Sequence, residues 1–434
     1  MNINASKLAQ WGQGTMTQEV LITGVKVDNR LVEQGDLFVC LRGAQVDGHK
    51  YAQGAIDQGA VCLLVDHKLD IDIPQIIVED TLKAFIEMGK NYRRSLDVFI
   101  IGITGSNGKT STKDIINTIL DNSIATHMNQ NTEIGTLLNI FKMDESTRYG
   151  VFEIGLDMPG DVDAIASILE PDAAMVTSLA PAHMANFDSI EHIANQKFRI
   201  FNYVANKDLC FYQGDFENYR AIANGQHSFG FNTNNEFVAS DVVMNNEGIE
   251  FKVNGETYKC NLLGEHQASN CAGVIALMKT LKIDEAVVKQ RLQEVNLTAL
   301  RTEIINYNQA LLLMDAYKSN ASSLTYALDI LKTYDYTGPK VAFLSDMVEL
   351  GDLSQSQHIK ILNYISDINL DHVYTLGNEF AKAIEGSNLD PSKFSNKLEF
   401  NDFKTEFKEV TNNAVMVLVK GSRSFALERL VKED

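Results

Sequence analysis

The sequence has no apolar run near the ~18 residues that a bilayer-crossing helix needs, so no membrane span is expected. It also lacks internal repeats, low-complexity tracts and long linkers. The first residues, MNINASKLAQWGQ, lack the basic start and apolar core of a signal peptide. Cysteine is sparse. Cys40, Cys62, Cys210, Cys260 and Cys271 are scattered, odd in number and without CxxC spacing. That argues against a disulfide scaffold or a zinc site, and for buried reduced thiols in a cytoplasmic protein. Positive charge is short as well, with 38 Lys and Arg against 57 Asp and Glu, a net charge of −19. No basic face offsets this, which argues against a general nucleic-acid or membrane-surface role. An anionic nucleotide remains an acceptable substrate if positive charge is concentrated at one site.

What is present fits a soluble α/β protein. The 434 residues are 45% hydrophobic and 22% charged. At roughly 150 residues per domain the length predicts about three. In the first ~80 residues short β-type runs alternate with turn signals. DLFVCL (36–41) and VCLLVD (61–66) read as strands around a helix at 48–60, and a capped helix over 78–96 leads out of the unit. VFIIGITGSNGKT (98–110) opens a second unit as strand, glycine turn and helix. Further strands are expected at 149–155 and 173–180, a β-rich meander over 208–262, and a helix over 266–281. A third α/β pattern has strands at 310–317, 340–346, 372–377 and 414–422. The expected division is 1–82, 83–299 and 300–434, with a cleft between the units.

The stretch GITGSNGKTSTKD (102–114) carries the clearest chemistry. It ends like a phosphate-binding loop, but Ile103 stands where the usual fingerprint has its first glycine, and glycines occur at Gly102 and Gly105 instead. A strand, glycines and a helix N-terminus in that order make an anion site from free backbone N–H groups and the helix dipole. The loop residues Thr104, Gly105, Ser106, Asn107 and Gly108 would cradle the phosphates. Lys109 would reach the β/γ-phosphates, and the Thr110 or Ser111 hydroxyl would face Mg²⁺. The plain alternative is a glycine turn with Lys109 solvated.

Other residues are weaker taken singly. Glu153 ends a strand at the ligand-binding edge of a parallel sheet, so it is a candidate Mg²⁺ ligand or an ordinary strand-end carboxylate. His183 follows the next strand and could line the same crevice, although a lone histidine is more often structural. Lys197, by composition, reads as a solvated lysine. Arg301, Asp315 and Tyr317 fall where the second and third units meet.

Together these pieces resemble the Mur ligase family, which builds the peptide of bacterial cell-wall precursors. TGSNGKT is similar to that family's phosphate loop. The stretch 27–60, QNTEIGT (130–136), EIG (153–155), PAHM (181–184), HQASN (266–270), DAYKSNASS (315–323), SDMVELG (345–351) and VKGSRSFALE (420–428) follow in the family's order. The last two are most similar to the branch that joins D-Ala-D-Ala to a UDP-N-acetylmuramoyl-tripeptide. The Asp-Asn-Pro-Arg motif of the third-residue-adding branch is absent.

The resemblance implies a small UDP-binding domain, a central phosphate-loop domain with a parallel sheet, and a C-terminal Rossmann-like domain. It implies that ATP phosphorylates the terminal carboxylate, and that the dipeptide amine then attacks the acyl phosphate. By position, Glu153 and His183 would be Mg²⁺ ligands of a two-ion site, and Lys197 a carbamylated lysine acting as a further ligand. Asn270, Arg301, Asp315 and Tyr317 would contact the nucleotide, and Asp28, Asn29 and Arg30 the uridine end. Asn131 and Thr132 fall in a substrate-binding stretch. The enzyme would act as a cytoplasmic monomer.

Departures from the family pattern occur at Asn29, Thr132, Arg199, Lys318 and Ala321. They leave open a related ligase with another amine or acceptor, or a nucleotide-binding protein without turnover.

Overall fold

The computed structural model describes residues 1–43, 46–181, 184–368, 370–387 and 389–432. The run VFIIGIT folds as the strand Phe99–Thr104, an interior member of a nine-stranded sheet. Tyr149–Glu153 and Ala173–Val176 flank it, both parallel to it. Ile100 enters one hydrophobic core, Ile101 and Ile103 the other. Cover on both faces explains why this run is continuously apolar rather than alternating. Glu153 is in register with Ile103, and Val176 with Thr104, so these strands end together at one edge. That carboxyl edge is where open α/β sheets bind ligands.

The expected meander over 208–262 holds only in part. Cys210–Gln213 and His227–Gly230 extend the parallel sheet, with the helix Glu217–Ile222 between them. That helix is too short for a helical period to show in the sequence. The antiparallel part is Phe237–Asn245, Gly248–Val253 and Glu256–Cys260. Its second turn places Asn254 and Gly255 at φ +50° and +92°, the pattern of a tight hairpin.

The N-terminal five-stranded sheet runs Thr15–Met16, Gln75–Ile77, Cys62–Val65, Asp36–Val39, Gly24–Lys26, parallel except for its first pair. The third sheet runs Glu303–Tyr307, Ala310–Asp315, Met416–Lys420, Lys340–Ser345, His372–Leu376, Phe394–Lys397, again parallel except for its first pair. Its two outer strands were not expected, because each is only partly buried and lacks an apolar run. All five cysteines are buried and free, as their spacing suggested. Among the described residues no helix is long and apolar enough to cross a membrane.

The helix Thr81–Arg94 joins the first two sheets into one core. Asp80 caps it, accepting from the Leu82 and Lys83 N–H groups at 3.0 Å. Its buried face, Ala84, Phe85, Met88 and Tyr92, has helical spacing. Met88 lies against Gly12, while Phe85 stacks on Phe141 at 5.7 Å and the Tyr92 hydroxyl donates to Met143 O at 2.7 Å. The first two units should therefore unfold together. Phe85→Ala is expected to cost ~3–5 kcal/mol. It should shift the denaturation midpoint equally by the fluorescence of the sole tryptophan, Trp11, and by far-ultraviolet circular dichroism. Separate transitions would refute the shared core.

Candidate active site between the second and third sheets

The loop after Phe99–Thr104 is pinned to the end of the neighbouring strand. Ser106 N donates to Ser178 O at 2.8 Å, its hydroxyl to Ala180 O at 2.9 Å, and Asn107 N to the Ser178 hydroxyl at 2.9 Å. Thr177 Oγ1 donates to Asn107 O at 2.7 Å. Two glycines are required by this path. A Cβ on Gly105, at φ +153°, would lie 1.9 Å from Thr177 Oγ1. Gly108 is left-handed at φ +85° and caps the helix Lys109–Ile119, with Asn270 Oδ1 2.8 Å from where its Cβ would be. Gly102, by contrast, is an ordinary strand residue. The variant spacing thus places its glycines where the chain turns.

Above the loop is a cavity of about 230 Å³. Ser106 to Ser111, Asn131, Glu153 and Asn270 line it from the second unit, and Arg301, Asp315, Tyr317, Lys318 and Lys420 from the junction and third sheet. Lys109 Nζ donates to Gly105 O at 2.5 Å. Thr110 Oγ1 donates to Glu153 Oε2 at 3.1 Å and accepts from Arg301 Nη2 at 3.1 Å. The Arg301 guanidinium stacks 4.2 Å from the Tyr317 ring centroid. Asp315 and Lys420, paired across adjacent strands, form a buried ion pair at 2.7 Å, and Lys420 also donates to Lys318 O at 3.0 Å. Asn107 and Asn320 exchange side-chain hydrogen bonds at 2.8 and 3.3 Å, linking the loop to the cap of the helix Ala321–Thr333. His266 stacks on Tyr326 at 4.4 Å, and burial pushes its pKa down to about 4, so this ring stays uncharged at neutral pH.

Lys197 is not the solvated lysine that composition suggested. It is 3% exposed on the helix Ile190–Phe198, where Ile193, Ala194 and Phe198 are buried beside it. Burial, then the nearby Lys109 and Lys318 ammonium groups, push its pKa far down, with Asp157 opposing. Burial and Lys318 also bring Lys109 down to about 8. Lys109, Lys318 and Arg301 also line the cavity, which concentrates positive charge there.

Glu153 is 3% exposed, and its Oε1 is buried without a hydrogen-bond partner. A carboxylate oxygen without a hydrogen bond, 3.7 Å from Lys113 Nζ and beside a threonine hydroxyl, suits a hard cation. His183 lies outside the described residues.

The structure does not bring the remaining sequence-flagged residues into this cavity. Asp28, Asn29 and Arg30 form a turn in the N-terminal unit, where Arg30 pairs with Asp28 at 2.6 Å and Asn29 lies against Gly54. Thr132 caps the helix Glu133–Ile140 through Gly135 N at 3.3 Å. Arg199 turns away to pair with Asp163. Ala321 occupies the first helical position after Asn320, a place that proline and alanine both fill without loss of a backbone bond.

Lys113, Asp114, Asn320 and Lys420 were not singled out from the sequence. For Lys113 a signal was available, since it stands four residues, one helical turn, after Lys109.

Comparisons with known proteins agree with this architecture. The model of the Mur ligase middle domain matches residues 103–278, and that of the Mur ligase family catalytic domain matches residues 21–96. The UDP-N-acetylmuramoyl-tripeptide–D-alanyl-D-alanine ligase of Bacillus subtilis is 31% identical over 445 residues, covering 98% of this chain and 97% of the relative. A crystal structure of MurF from Acinetobacter baumannii superposes with a TM-score of 0.88 at 23% identity, covering 99% and 98% of the two chains. The MurF ligase of Thermotoga maritima, solved in complex with ADP, gives 0.81 at 23% identity, with 94% and 96% covered. At that identity the structures establish a shared fold.

Gly105→Ala should displace the loop from Thr177 and weaken nucleotide binding at least ~10-fold by fluorescence titration, the scale of one lost hydrogen bond to a charged group. Unchanged binding would show that the loop does not hold phosphate.

Proposed function

This chain belongs to the Mur ligase family, and from that membership we propose that it is an ATP-dependent ligase that adds D-Ala-D-Ala to a UDP-N-acetylmuramoyl-tripeptide. The similarity to the Bacillus subtilis ligase over 98% of the chain supports the choice of substrates. The observation that carries the reaction type is that Lys109, Lys318 and Arg301 all line the cavity at the phosphate loop. Two anions, the γ-phosphate and the substrate carboxylate, must approach each other there, and fixed cations lower that repulsion.

In the first step the carboxylate oxygen forms a bond to the γ-phosphorus, the β–γ bridging P–O bond breaks, and ADP leaves. In the second the dipeptide amine adds to the acyl carbon. The C–O bond to phosphate then breaks, and the amine loses a proton. Lys109 and the loop N–H groups hold the β- and γ-phosphates, and Arg301 reaches the same region from the junction. Asn270, beside Gly108, and Asp315 and Tyr317, from the third sheet, complete the nucleotide side. Asp28, Asn29 and Arg30 lie on the N-terminal unit, 1–82, which we assign to the UDP end.

Thr110, Glu153, His183 and a modified Lys197 are the groups we assign to Mg²⁺, as two ions, which supply charge neutralisation at the phosphates when bound. Lys197 is suited to carbamylation because burial beside other cations favours its neutral amine. Its amine adds to CO₂, a proton is lost, and a cation becomes an anion. The charge change relieves the repulsion among the lysines. Buried free thiols and ATP as substrate fit the cytoplasm, and a monomer suffices because one chain supplies every group named here.

The test is phosphate release by the purified protein with ATP, Mg²⁺ and UDP-N-acetylmuramoyl-tripeptide. Release that requires D-Ala-D-Ala supports the proposal; release with a single amino acid instead, or with no amine at all, contradicts it. Lys197→Ala should lower kcat at least ~100-fold, the scale of losing one preorganised electrostatic group. Wild-type activity should fall in CO₂-depleted buffer and return with bicarbonate. A fully active Lys197→Ala, with no response to bicarbonate, would rule out the carbamate.

A further inference from the structure

The segment entering the third unit is fastened to the phosphate-loop helix before it reaches Arg301. Thr298 N donates to Asp114 Oδ2 at 2.8 Å, and its hydroxyl donates to Asp114 Oδ1 at 3.2 Å. Lys113, 3% exposed, donates from Nζ to the same hydroxyl at 3.2 Å and to Thr126 O at 3.2 Å. The same Nζ lies 2.9 Å from Asp114 Oδ1 and 3.7 Å from Glu153 Oε1. The Thr298 hydroxyl therefore accepts from a lysine and donates to a carboxylate, which fixes its orientation.

Three residues later Arg301 reaches Thr110 Oγ1 at 3.1 Å. On either side of it Leu300 and Thr302 are left-handed, at φ +66° and +51°. Side chains with a Cβ adopt that backbone only when their surroundings hold them there, and such positions gather at functional and hinge sites. Thr298 is thus held on one side of the strained pair, and on the other Glu303–Tyr307 enters the third sheet.

We propose that Lys113, Asp114 and Thr298 form a clamp that positions Arg301 over the phosphate loop. Lys113, Asp114 and Thr298 are not among the residues lining the cavity; Asp114 and Thr298 are positioning residues that act through Arg301. Because Lys113 spans Thr298 and Glu153, the same cluster ties the junction to the strand end beside Thr110. The inference rests on Arg301 facing ATP, as assigned in the preceding subsection.

The test is a double-mutant cycle read as affinity for ATP by fluorescence titration, with thermal unfolding as the folding control. Thr298→Val keeps the shape and removes the hydroxyl. It should weaken ATP binding about tenfold, the scale of a lost hydrogen bond to a charged group. Thr298→Ser should bind within about twofold of wild type. In an Arg301→Ala background, Thr298→Val should change affinity by less than about twofold, within the scatter of such cycles, because the clamp then has no arginine to position. Equal losses in both backgrounds would overturn the clamp, as would wild-type affinity in Thr298→Val. Should Thr298→Val unfold, Asp114→Asn is carried through the same cycle with the same criteria. The readout is independent of the amine acceptor. A protein that binds ATP but ignores D-Ala-D-Ala would therefore fail the proposed function and still test the clamp.

Discussion

Four cations converge around one buried space, and the rest of the site is arranged to make that tolerable. Lys109, Lys318, Lys420 and Arg301 come from the phosphate-loop helix, the segment after Ala310–Asp315, the third sheet and the junction. In water such a group would disperse. Here burial and mutual repulsion lower the lysine pKa values, and Glu153 and Asp157 offset only part of the charge. The remaining balance must come from anions. A chain with a net charge of −19 thereby holds a local site for phosphate and carboxylate together. Preorganised charge of this kind acts without further rearrangement when the phosphoryl group moves.

The same constraint explains why the site is split between units. Lys318 and Lys420 approach the loop only while the third sheet lies against the second unit, whereas Arg301 is held there from the junction. The Asn107–Asn320 pair records that approach. Thr110 joins the two sides, because its hydroxyl accepts from Arg301 and donates to Glu153. Separation of the third unit would remove Lys318 and Lys420 from the phosphates and open an acyl phosphate to water. The first unit is coupled to the second differently, through the apolar core under Thr81–Arg94, which suits a rigid platform for the distant end of a long substrate.

The phosphate loop was legible in the sequence because its determinants are local: an apolar strand, two glycines in turning positions, and Lys-Thr at a helix start. The strands carrying Glu153 and Asp315 were legible for the same reason, as apolar runs ending in an acid. Lys197 was not, since nothing in its neighbourhood along the chain reports that Lys109 and Lys318 lie beside it. The resemblance to a family corrected that reading before the structure did. Lys420 and Thr298 were hidden for the same reason, their partners being 105 and 184 residues away. Arg199, Thr132 and Ala321 looked like changes to a binding site. In the structure they pair with Asp163, cap a helix and begin one. Of the departures outside the N-terminal unit, only Lys318 faces the cavity.

The claim that this charge cluster brings phosphate to a carboxylate is tested most directly by the fate of a labelled oxygen. UDP-N-acetylmuramoyl-tripeptide carrying oxygen-18 in its terminal carboxylate would be turned over with ATP, Mg²⁺ and D-Ala-D-Ala, and the released phosphate examined by mass spectrometry or by its phosphorus-31 isotope shift. Transfer of one carboxylate oxygen to each phosphate is the expected result. Unlabelled phosphate would contradict it, because the carboxylate would then never have been phosphorylated.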